Sequence, residues 1–260
     1  MAQVHPTACV EEGATLGKDV VVGPFSLVGR EVELGARVQV GAHVTLIGRT
    51  RVGPDCRIFP YACLGGDPQD QAFRGEATRL EIGARCVIRE QVTIHVGTAR
   101  GGGCTRIGED NFLMNSAHIG HDCQIGSHTI IASFCGLAGH VKVDDFAVLG
   151  AYTGVHQYAR VGESVMAAGG AKLSLDAPPF TMVAGDRARL VGLNAVGLRR
   201  RGFSDKTRAQ IKHAFHLIFG SKLPLEAALA RVDEEIGGVP EVERLVSFLR
   251  KTERGFCRSR

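Results

Sequence analysis

The chain has 260 residues, of which 44% are hydrophobic and 22% are charged, a composition typical of a folded globular protein. Its formal net charge of +4 is compatible with anionic ligands but is too small and too dispersed to argue for nucleic-acid binding. No run of about 18 apolar residues occurs, and the first residues lack the basic-then-apolar pattern of a secretion signal. We therefore expect a cytoplasmic protein that does not span a membrane.

Aliphatic residues recur at every sixth position through the first quarter of the chain. The series is Val4, Val10, Leu16, Val22, Val28, Leu34, Val40, Leu46, Val52, Ile58 and Leu64. An α-helix repeats about every 3.6 residues and a strand about every 2, so neither produces this period. The pattern predicts a solenoid in which each coil buries one aliphatic stack and short strands pair with the coils above and below.

Two stretches interrupt the repeat, and after each of them it resumes. The aliphatic residue at each sixth position is called an aliphatic stop here. Residues 66–79 contain no aliphatic stops, and residues 98–106 contain three consecutive glycines. We interpret both as loops that leave the solenoid, which is where repeat proteins often carry function. The aliphatic stops continue at Ile82, Ile88, Ile94, Ile107, Leu113, Ile119, Ile125, Ile131, Leu137, Val143, Leu149, Val155, Val161, Ala167 and Leu173.

Glycine often follows the aliphatic residue, as at Gly17 and Gly23, and a small residue often lies four places after it, as at Ala8 and Ala14. We expect glycine and small residues to allow the corners of each coil. The whole pattern resembles the hexapeptide-repeat family, whose left-handed parallel β-helices have three-sided coils. Eighteen residues then form one coil, and residues 1–190 form the β-helix.

Residues 191–260 have helical rather than six-residue spacing, and the repeat ends at the two prolines of residues 178–179. Three amphipathic stretches follow Ser204, around residues 211–218, 225–232 and 242–249. Ser204 suits an N-cap, and Pro224 and Pro240 suit the first turn of a helix. This segment is predicted to be a C-terminal α-helical domain that packs on the solenoid or on a neighbouring subunit.

The eight cysteines do not predict a metal or disulfide site, because no two are spaced as CxxC. Cys56, Cys86, Cys123 and Cys135 share one position of the repeat. They are expected to be small buried thiols in a reducing compartment.

Eighteen-residue stacking gathers five of the ten histidines on one side of the solenoid. His121, His140 and His156 follow stops that lie one above another, and His95 follows the stop one coil earlier. His118 is expected at the corner leading into this face. Such a cluster indicates a site, which by itself could bind a metal ion or perform acid–base chemistry.

The local motifs around these histidines are specific. The segments AHIGHDC (residues 117–123) and LAGHV (residues 137–141) resemble acyl-carrier-protein-dependent UDP-N-acetylglucosamine O-acyltransferases, which begin lipid A synthesis. Further similar segments are GEATR (75–79), VTIH (92–95), VDDFA (143–147), VHQ (155–157) and GLRRRGFS (197–204). The resemblance covers residue 4 to about residue 255.

The resemblance implies an acyl transfer from acyl carrier protein to the glucosamine 3-OH of UDP-N-acetylglucosamine. Such a reaction needs a base for the hydroxyl proton and a donor for the developing oxyanion. By resemblance, His121 is the base, Asp122 orients its ring, and the backbone N–H of Gly139 is the oxyanion donor. No cofactor is implied, because the acyl chain arrives on the phosphopantetheine of the carrier protein, and no metal is implied.

The resemblance also implies a homotrimer with the cleft between neighbouring solenoids. The remaining substrate-binding residues that it implies are Gln69, Asp70, His95, His118, His140, His156, Gln157, Gly169, Asn194, Arg200 and Arg201. Gly169 matches the place where side-chain bulk limits the acyl chain, so glycine there suggests room for a relatively long 3-hydroxyacyl group.

Three positions depart from the family pattern. The usual lysine of the first loop is Ala72, and we predict that Arg74 supplies the missing cation. The usual glutamate near the nucleotide is Val196, and a histidine after the repeat is Arg187. These changes leave the reaction class intact but leave open a sugar acceptor with a 3-amine in place of the hydroxyl.

Three other readings compete with this one. The γ-class carbonic anhydrases bind zinc with histidines between similar solenoids, but the helical tail, Asp122 and the loop motifs argue against that class. A related N-acyltransferase carries a separate N-terminal domain, whereas the repeat here begins at Val4. A purely structural solenoid does not explain why histidines collect on one side.

Overall fold

The computed structural model describes residues 1–259 and contains three sheets of short strands that wrap into a β-helix. The strands are β1 (Gln3–Val4), β2 (Cys9–Val10), β3 (Thr15–Leu16), β4 (Val21–Val22), β5 (Leu27–Val28), β6 (Glu33–Leu34), β7 (Gln39–Val40), β8 (Thr45–Leu46), β9 (Arg49–Val52), β10 (Arg57–Ile58), β11 (Cys63–Gly66), β12 (Arg79–Ile82), β13 (Val87–Ile88), β14 (Thr93–His95), β15 (Cys104–Ile107), β16 (Phe112–Leu113), β17 (His118–Ile119), β18 (Gln124–Ile125), β19 (Ile130–Ile131), β20 (Gly136–Leu137), β21 (Lys142–Val143), β22 (Val148–Leu149), β23 (Gly154–Val155), β24 (Arg160–Val161), β25 (Met166–Ala167), β26 (Lys172–Leu173), β27 (Thr181–Ala184) and β28 (Arg189–Leu193).

Every third strand joins the same sheet, so each coil contributes one strand to each of three sides. Sheet A has the order β1-β4-β7-β10-β13-β16-β19-β22-β25-β27-β28, sheet B has β2-β5-β8-β11-β14-β17-β20-β23-β26, and sheet C has β3-β6-β9-β12-β15-β18-β21-β24. Ile119 pairs with Leu137, and Leu137 pairs with Val155, both in parallel register. The eighteen-residue coil with three sides is therefore confirmed.

The aliphatic stops point into the coil, where residues such as Leu64, Ile119 and Leu137 are fully buried. The corners differ from the expectation that glycine would form them. Non-glycine residues adopt the left-handed conformation there, for example Asp122 at φ 61°. The glycines that follow the stops instead allow the backbones of successive coils to approach each other. A Cβ on Gly17 would lie 2.7 Å from the backbone nitrogen of Ala36 in the next coil.

Both interruptions of the repeat are loops, with bounds slightly different from those expected. The first loop comprises residues 67–78, because the flanking positions 66 and 79 belong to β11 and β12. The second comprises residues 96–103, because the predicted loop residues 104–106 form part of β15. They pair in parallel with β12, so the coil closes earlier than the aliphatic pattern indicates.

After the last full coil, β27 continues sheet A and β28 turns back antiparallel to it. Because β28 ends at Leu193, the first helix begins four residues beyond the expected boundary at residue 191. The helices are α1 (Ala195–Arg200), α2 (Asp205–Phe215), α3 (Leu225–Ile236) and α4 (Pro240–Arg250), with a π-helical turn at His216–Gly220 after α2.

The three amphipathic stretches are confirmed as helices, and α1 is an additional helix. Ser204 caps α2 by accepting a hydrogen bond from the Thr207 N–H at 3.0 Å. Pro240 opens α4, as expected, whereas Pro224 is the N-cap residue of α3 and therefore lies just outside it. The helices bury their own apolar cluster, which includes Phe180 of the solenoid.

The predicted buried thiols are confirmed, since Cys56, Cys86, Cys123 and Cys135 lie in the solenoid core. Near the C-terminus, Cys257 returns to the same core and its N–H donates to the Asp176 carbonyl at 2.8 Å. Within residues 1–259, no helix is both long and apolar enough to cross a membrane.

Candidate active site

A groove of about 660 Å³ runs along the outer face of sheet B. The outward-facing residues of its successive strands are in register, and two of them, Gly136 and Gly154, lack side chains. The groove therefore lies where no side chain projects from two neighbouring strands of the sheet. Its lining includes Gln69, His95, His118, Gly120, His121, Gly136, Leu137, Ala138, Gly139, Gly154, Val155, His156, Gln157, Lys172, Leu173, Ser174, Asp186 and Arg187.

Four of the five predicted histidines line this groove, and the fifth, His140, lies directly beside it. The rings of His121 and His140 meet edge to face at 5.0 Å, and His140 stacks on Tyr158 at 4.4 Å. His118 belongs to strand β17 on the face itself and not to a corner. Its Nδ1 lies 2.8 Å from the Thr93 hydroxyl, which orients the ring.

Among the groove histidines of the described residues, His121 is the one within hydrogen-bond distance of a carboxylate. Its Nδ1 lies 2.8 Å from Oδ2 of Asp122, whose side chain is 0% exposed. A carboxylate accepts hydrogen bonds, so Nδ1 is the donor in this contact and Nε2 is the ring nitrogen directed away from Asp122. His121 is thus arranged as a base, with Nε2 as its free atom.

Gly139 lies one coil above His121, as the count of eighteen predicts. A Cβ on Gly139 would lie 2.5 Å from Cε1 and 2.6 Å from Nε2 of His121. The backbone N–H of Gly139 has no acceptor within the described part of the chain. Nε2 of His121 and the backbone of Gly139 therefore lie close together, and both residues line the groove.

Three neighbouring histidines are held in their neutral form. Burial, followed by the charges of His118 and His121, lowers the pKa of His95 to about 4. Burial also lowers the pKa of His118. Burial lowers the pKa of His140, although the nearby Asp122 opposes this effect. For all three rings, burial therefore disfavours the charged form.

His121, Asp122 and His140 also form a group whose potential metal-ligand atoms lie within 4.8 Å of one another. The carboxylate oxygens of Asp122 are already used, because they accept from both the N–H and the hydroxyl of Thr98 as well as facing His121. Nε2 of His140 lies 3.8 Å from Oδ2. The arrangement favours a hydrogen-bonded base over a metal centre.

The first loop contributes one predicted residue, Gln69, to the groove. Oδ1 of Asp70 accepts from the Ala72 N–H at 2.9 Å, so this side chain stabilises its own loop. The exposed guanidinium of Arg74 donates to the carbonyls of Gln71 and Phe73 and lies outside the groove lining. The single chain does not bring Asp70 and Arg74 to the groove.

The far end of the groove contains residues that the motifs do not single out. Lys172, Ser174 and Asp186 lie there, together with Arg187. Counting one further coil from Gly154 would have located Lys172, because the two residues pair in register. Gly169, in the turn between β25 and β26, is not part of the lining.

Asn194, Arg200 and Arg201 lie on the other side of sheet C from His121. The Asn194 side chain caps α1 and donates to the Ser164 carbonyl at 2.9 Å. Arg201 pairs with Glu163 at 2.6 Å, and Arg200 is exposed. Glu163 and Ser164 form the turn between sheets C and A, whereas His121 lies between sheets B and C.

A three-sided β-helix with a histidine–carboxylate pair on one groove defines the class of hexapeptide-repeat transferases. The family model described as bacterial transferase hexapeptide (six repeats) matches residues 104–139. A second model, UDP N-acetylglucosamine O-acyltransferase domain 2, matches residues 176–257 and so covers the helical region.

Relatives match the chain over nearly its whole length. An acyl-(acyl-carrier-protein)–UDP-N-acetylglucosamine O-acyltransferase of Anaeromyxobacter sp. (strain Fw109-5) is 47% identical over 98% of this chain and 99% of its own. One from Myxococcus xanthus is 46% identical over 99% and 100%. The crystal structure of a UDP-N-acetylglucosamine acyltransferase from Bacteroides fragilis has a TM-score of 0.95 at 38% identity, covering 98% of this chain and 99% of its own. The chain belongs to the acyl-(acyl-carrier-protein)–UDP-N-acetylglucosamine O-acyltransferase family, and its β-helix is left-handed with a C-terminal helical region.

Proposed function

We propose that this enzyme transfers a 3-hydroxyacyl chain from acyl carrier protein to the glucosamine 3-OH of UDP-N-acetylglucosamine, the first step of lipid A biosynthesis. The observation that carries the proposal is the pairing of His121 with the buried Asp122 beside the free N–H of Gly139. The names of the full-length relatives support the two substrates. We also propose that the reaction takes place in the cytoplasm.

The proposed chemistry follows from these three residues. Nε2 of His121 takes the proton of the sugar hydroxyl while the oxygen attacks the thioester carbonyl. The Gly139 N–H donates to the oxyanion that develops on that carbonyl oxygen. When the carbon–sulfur bond breaks, the imidazolium returns the proton to the leaving thiolate, and Asp122 remains ionised throughout. These steps require neither a metal ion nor a resident cofactor, since phosphopantetheine carries the acyl group.

The direct test is an assay of the purified protein with 3-hydroxyacyl carrier proteins and UDP-N-acetylglucosamine. We expect an ester product at the sugar 3-position. A parallel assay with the 3-amino analogue of the sugar separates the two acceptors, because the amide product resists mild alkali. Absence of acylated product with both sugars would overturn the proposal.

We propose further that the enzyme is a homotrimer in which two chains complete each site. The groove runs along sheet B up to the corner between sheets B and C. Arg200, Asn194 and Arg201 instead belong to the corner between sheets C and A. Both sets serve one substrate only if a neighbouring chain supplies the second set, as a cyclic assembly allows. A diphosphate then lies between the histidines of one chain and the exposed Arg200 of the next.

Mixing two inactive variants tests this division of the site. His121→Ala and Arg200→Ala chains, each nearly inactive alone, should together regain about a third of the wild-type activity, because every trimer that contains both variants has about one complete site in three. The measurement is kcat after co-expression of differently tagged chains and isolation of the mixed assembly. No recovery above the separate variants would show that both residues act within one chain.

Lys172 is expected to limit the length of the acyl chain. Its Nζ donates to the Tyr152 carbonyl at 3.2 Å, and its Cδ lies 3.3 Å from the position of a Cβ on Gly154. Lys172 belongs to the next coil, and its side chain therefore folds back over Gly154 at this end of the groove. This placement adds a second determinant to the expectation that Gly169 leaves room for a long chain.

Replacing Lys172 with glycine should shift the preferred acyl chain toward longer groups. One additional coil opens about 4.8 Å of groove, enough for about four more methylenes. The measurement is kcat/KM for a series of 3-hydroxyacyl carrier proteins. Lys142→Gly, an exposed lysine on sheet C, is the matched control and should keep the wild-type profile. An unchanged profile in Lys172→Gly would contradict the role.

A further inference from the structure

The second interruption of the repeat folds directly over the catalytic carboxylate. This segment, residues 96–103, is called the Thr98 loop here. The Thr98 N–H donates to Oδ1 of Asp122 at 2.8 Å, and its hydroxyl donates to Oδ2 at 2.7 Å. One residue of the loop thus supplies a donor to each oxygen of a carboxylate that has no solvent exposure.

Thr98 is itself held in place by the glycines that follow it. Its carbonyl accepts from the N–H groups of Gly101 at 3.1 Å and Gly103 at 2.8 Å. The Gly101 N–H also lies 3.1 Å from the Thr98 hydroxyl oxygen, which accepts from it. With that interaction filled, the hydroxyl proton is directed to Asp122.

Gly101 shows how closely the loop covers the carboxylate. A Cβ at this position would lie 2.0 Å from Cγ of Asp122, and its three nearest atoms all belong to that side chain. The φ angle of Gly101 is outside the left-handed region, so a side chain is excluded here by Asp122 alone. The loop and the carboxylate are therefore fitted to each other.

We propose that Thr98 is a positioning residue for the transfer reaction, a role that rests on the proposed function of His121. Oδ2 of Asp122 accepts from both the Thr98 hydroxyl and Nδ1 of His121. Without the hydroxyl, Oδ2 loses one of the two groups that fix it, and only the Thr98 N–H at Oδ1 still holds the carboxylate from the loop, so the direction of the imidazole is less firmly fixed. A buried carboxylate also needs every available donor, because burial removes its water.

Thr98→Val tests the hydroxyl with little change of shape and keeps the backbone N–H. We expect kcat to fall about tenfold, as for one hydrogen bond to a charged group, with KM for the nucleotide sugar unchanged. Thr98→Ser should restore most of the loss. Thr129→Val is the matched control, because Thr129 is equally buried and its hydroxyl donates to Asn111 at 2.7 Å far from the groove. It should keep the wild-type kcat.

A double-mutant cycle separates positioning from simple loss of stability. In an Asp122→Asn background, Thr98→Val should cause little further loss, because the partner it orients is already altered. Gly101→Ala should lower kcat at least as much as Thr98→Val does. Full activity of Thr98→Val would overturn the inference. So would a double variant of Thr98→Val and Asp122→Asn whose loss of kcat equals the product of the two single losses. If His121→Ala also kept full activity, the proposed function itself would fail, whereas an inactive His121→Ala beside an active Thr98→Val refutes only the positioning role.

Discussion

Replacing His121 with alanine should lower kcat about a thousandfold, within the range that general-base catalysis contributes. The side chain is 10% exposed, and its Nδ1 is held 2.8 Å from Asp122. Neither His118 nor His140 is a ready substitute, because burial lowers the pKa of both rings and neither has a carboxylate within 3 Å. Binding of UDP-N-acetylglucosamine should change much less than kcat, since the other residues that line the groove remain.

The measurement is steady-state kinetics with acyl carrier protein as the donor, together with thermal unfolding to confirm the fold. His5→Ala is the matched control, because His5 is an exposed histidine on the first coil, hydrogen-bonded to Thr7. It should retain the wild-type kcat. Activity of His121→Ala within a few-fold of wild type would remove His121 as the base and reopen the choice among the groove histidines.

Gly139→Ala should lower kcat at least about a hundredfold, comparable with the loss of an oxyanion donor. The added methyl group would lie 2.5 Å from Cε1 of His121, so either the imidazole or the backbone of this coil must move. Movement of the imidazole takes Nε2 away from the sugar hydroxyl. Movement of the backbone takes the N–H away from the thioester carbonyl. Both outcomes damage the same step.

Kinetics and unfolding temperature should be measured on the same preparation of Gly139→Ala. Gly192→Ala is its control, because a Cβ on Gly192 meets nothing within 4 Å and its φ is not in the left-handed region. That variant should be as active as wild type. A fully active Gly139→Ala enzyme would be inconsistent with His121 and Gly139 sharing one reaction centre.

The architecture follows from local regularity and was predictable. A period of six with aliphatic stops dictates which residues face inward, and parallel pairing of successive coils fixes the register of eighteen. That register alone places Gly139 over His121 and brings His156 to the same face. It also locates Lys172 at the groove end, although no motif marks that residue.

The limits of the pattern appear where the chain leaves the repeat. Residues 104–106 pair as strand β15 although the aliphatic count does not mark them, because neighbouring strands supply the hydrogen-bond partners. Arg74 was expected to supply a cation to the site, yet its guanidinium binds carbonyls of its own loop in the single chain. Side chains in loops form hydrogen bonds with nearby acceptors, and the six-residue repeat does not specify which acceptors are near.

The sequence by itself determined the coil, its inward stack, the two interruptions and the face on which the histidines gather, because each depends on contacts between residues a constant distance apart in the chain. Only the tertiary structure decided that Thr98 covers Asp122, that burial keeps His95 neutral, and that Asn194 and Arg201 lie across sheet C from the base. Those features depend on irregular segments packing against the solenoid. Their partners are chosen by shape and by unsatisfied hydrogen bonds, neither of which has a period in the sequence.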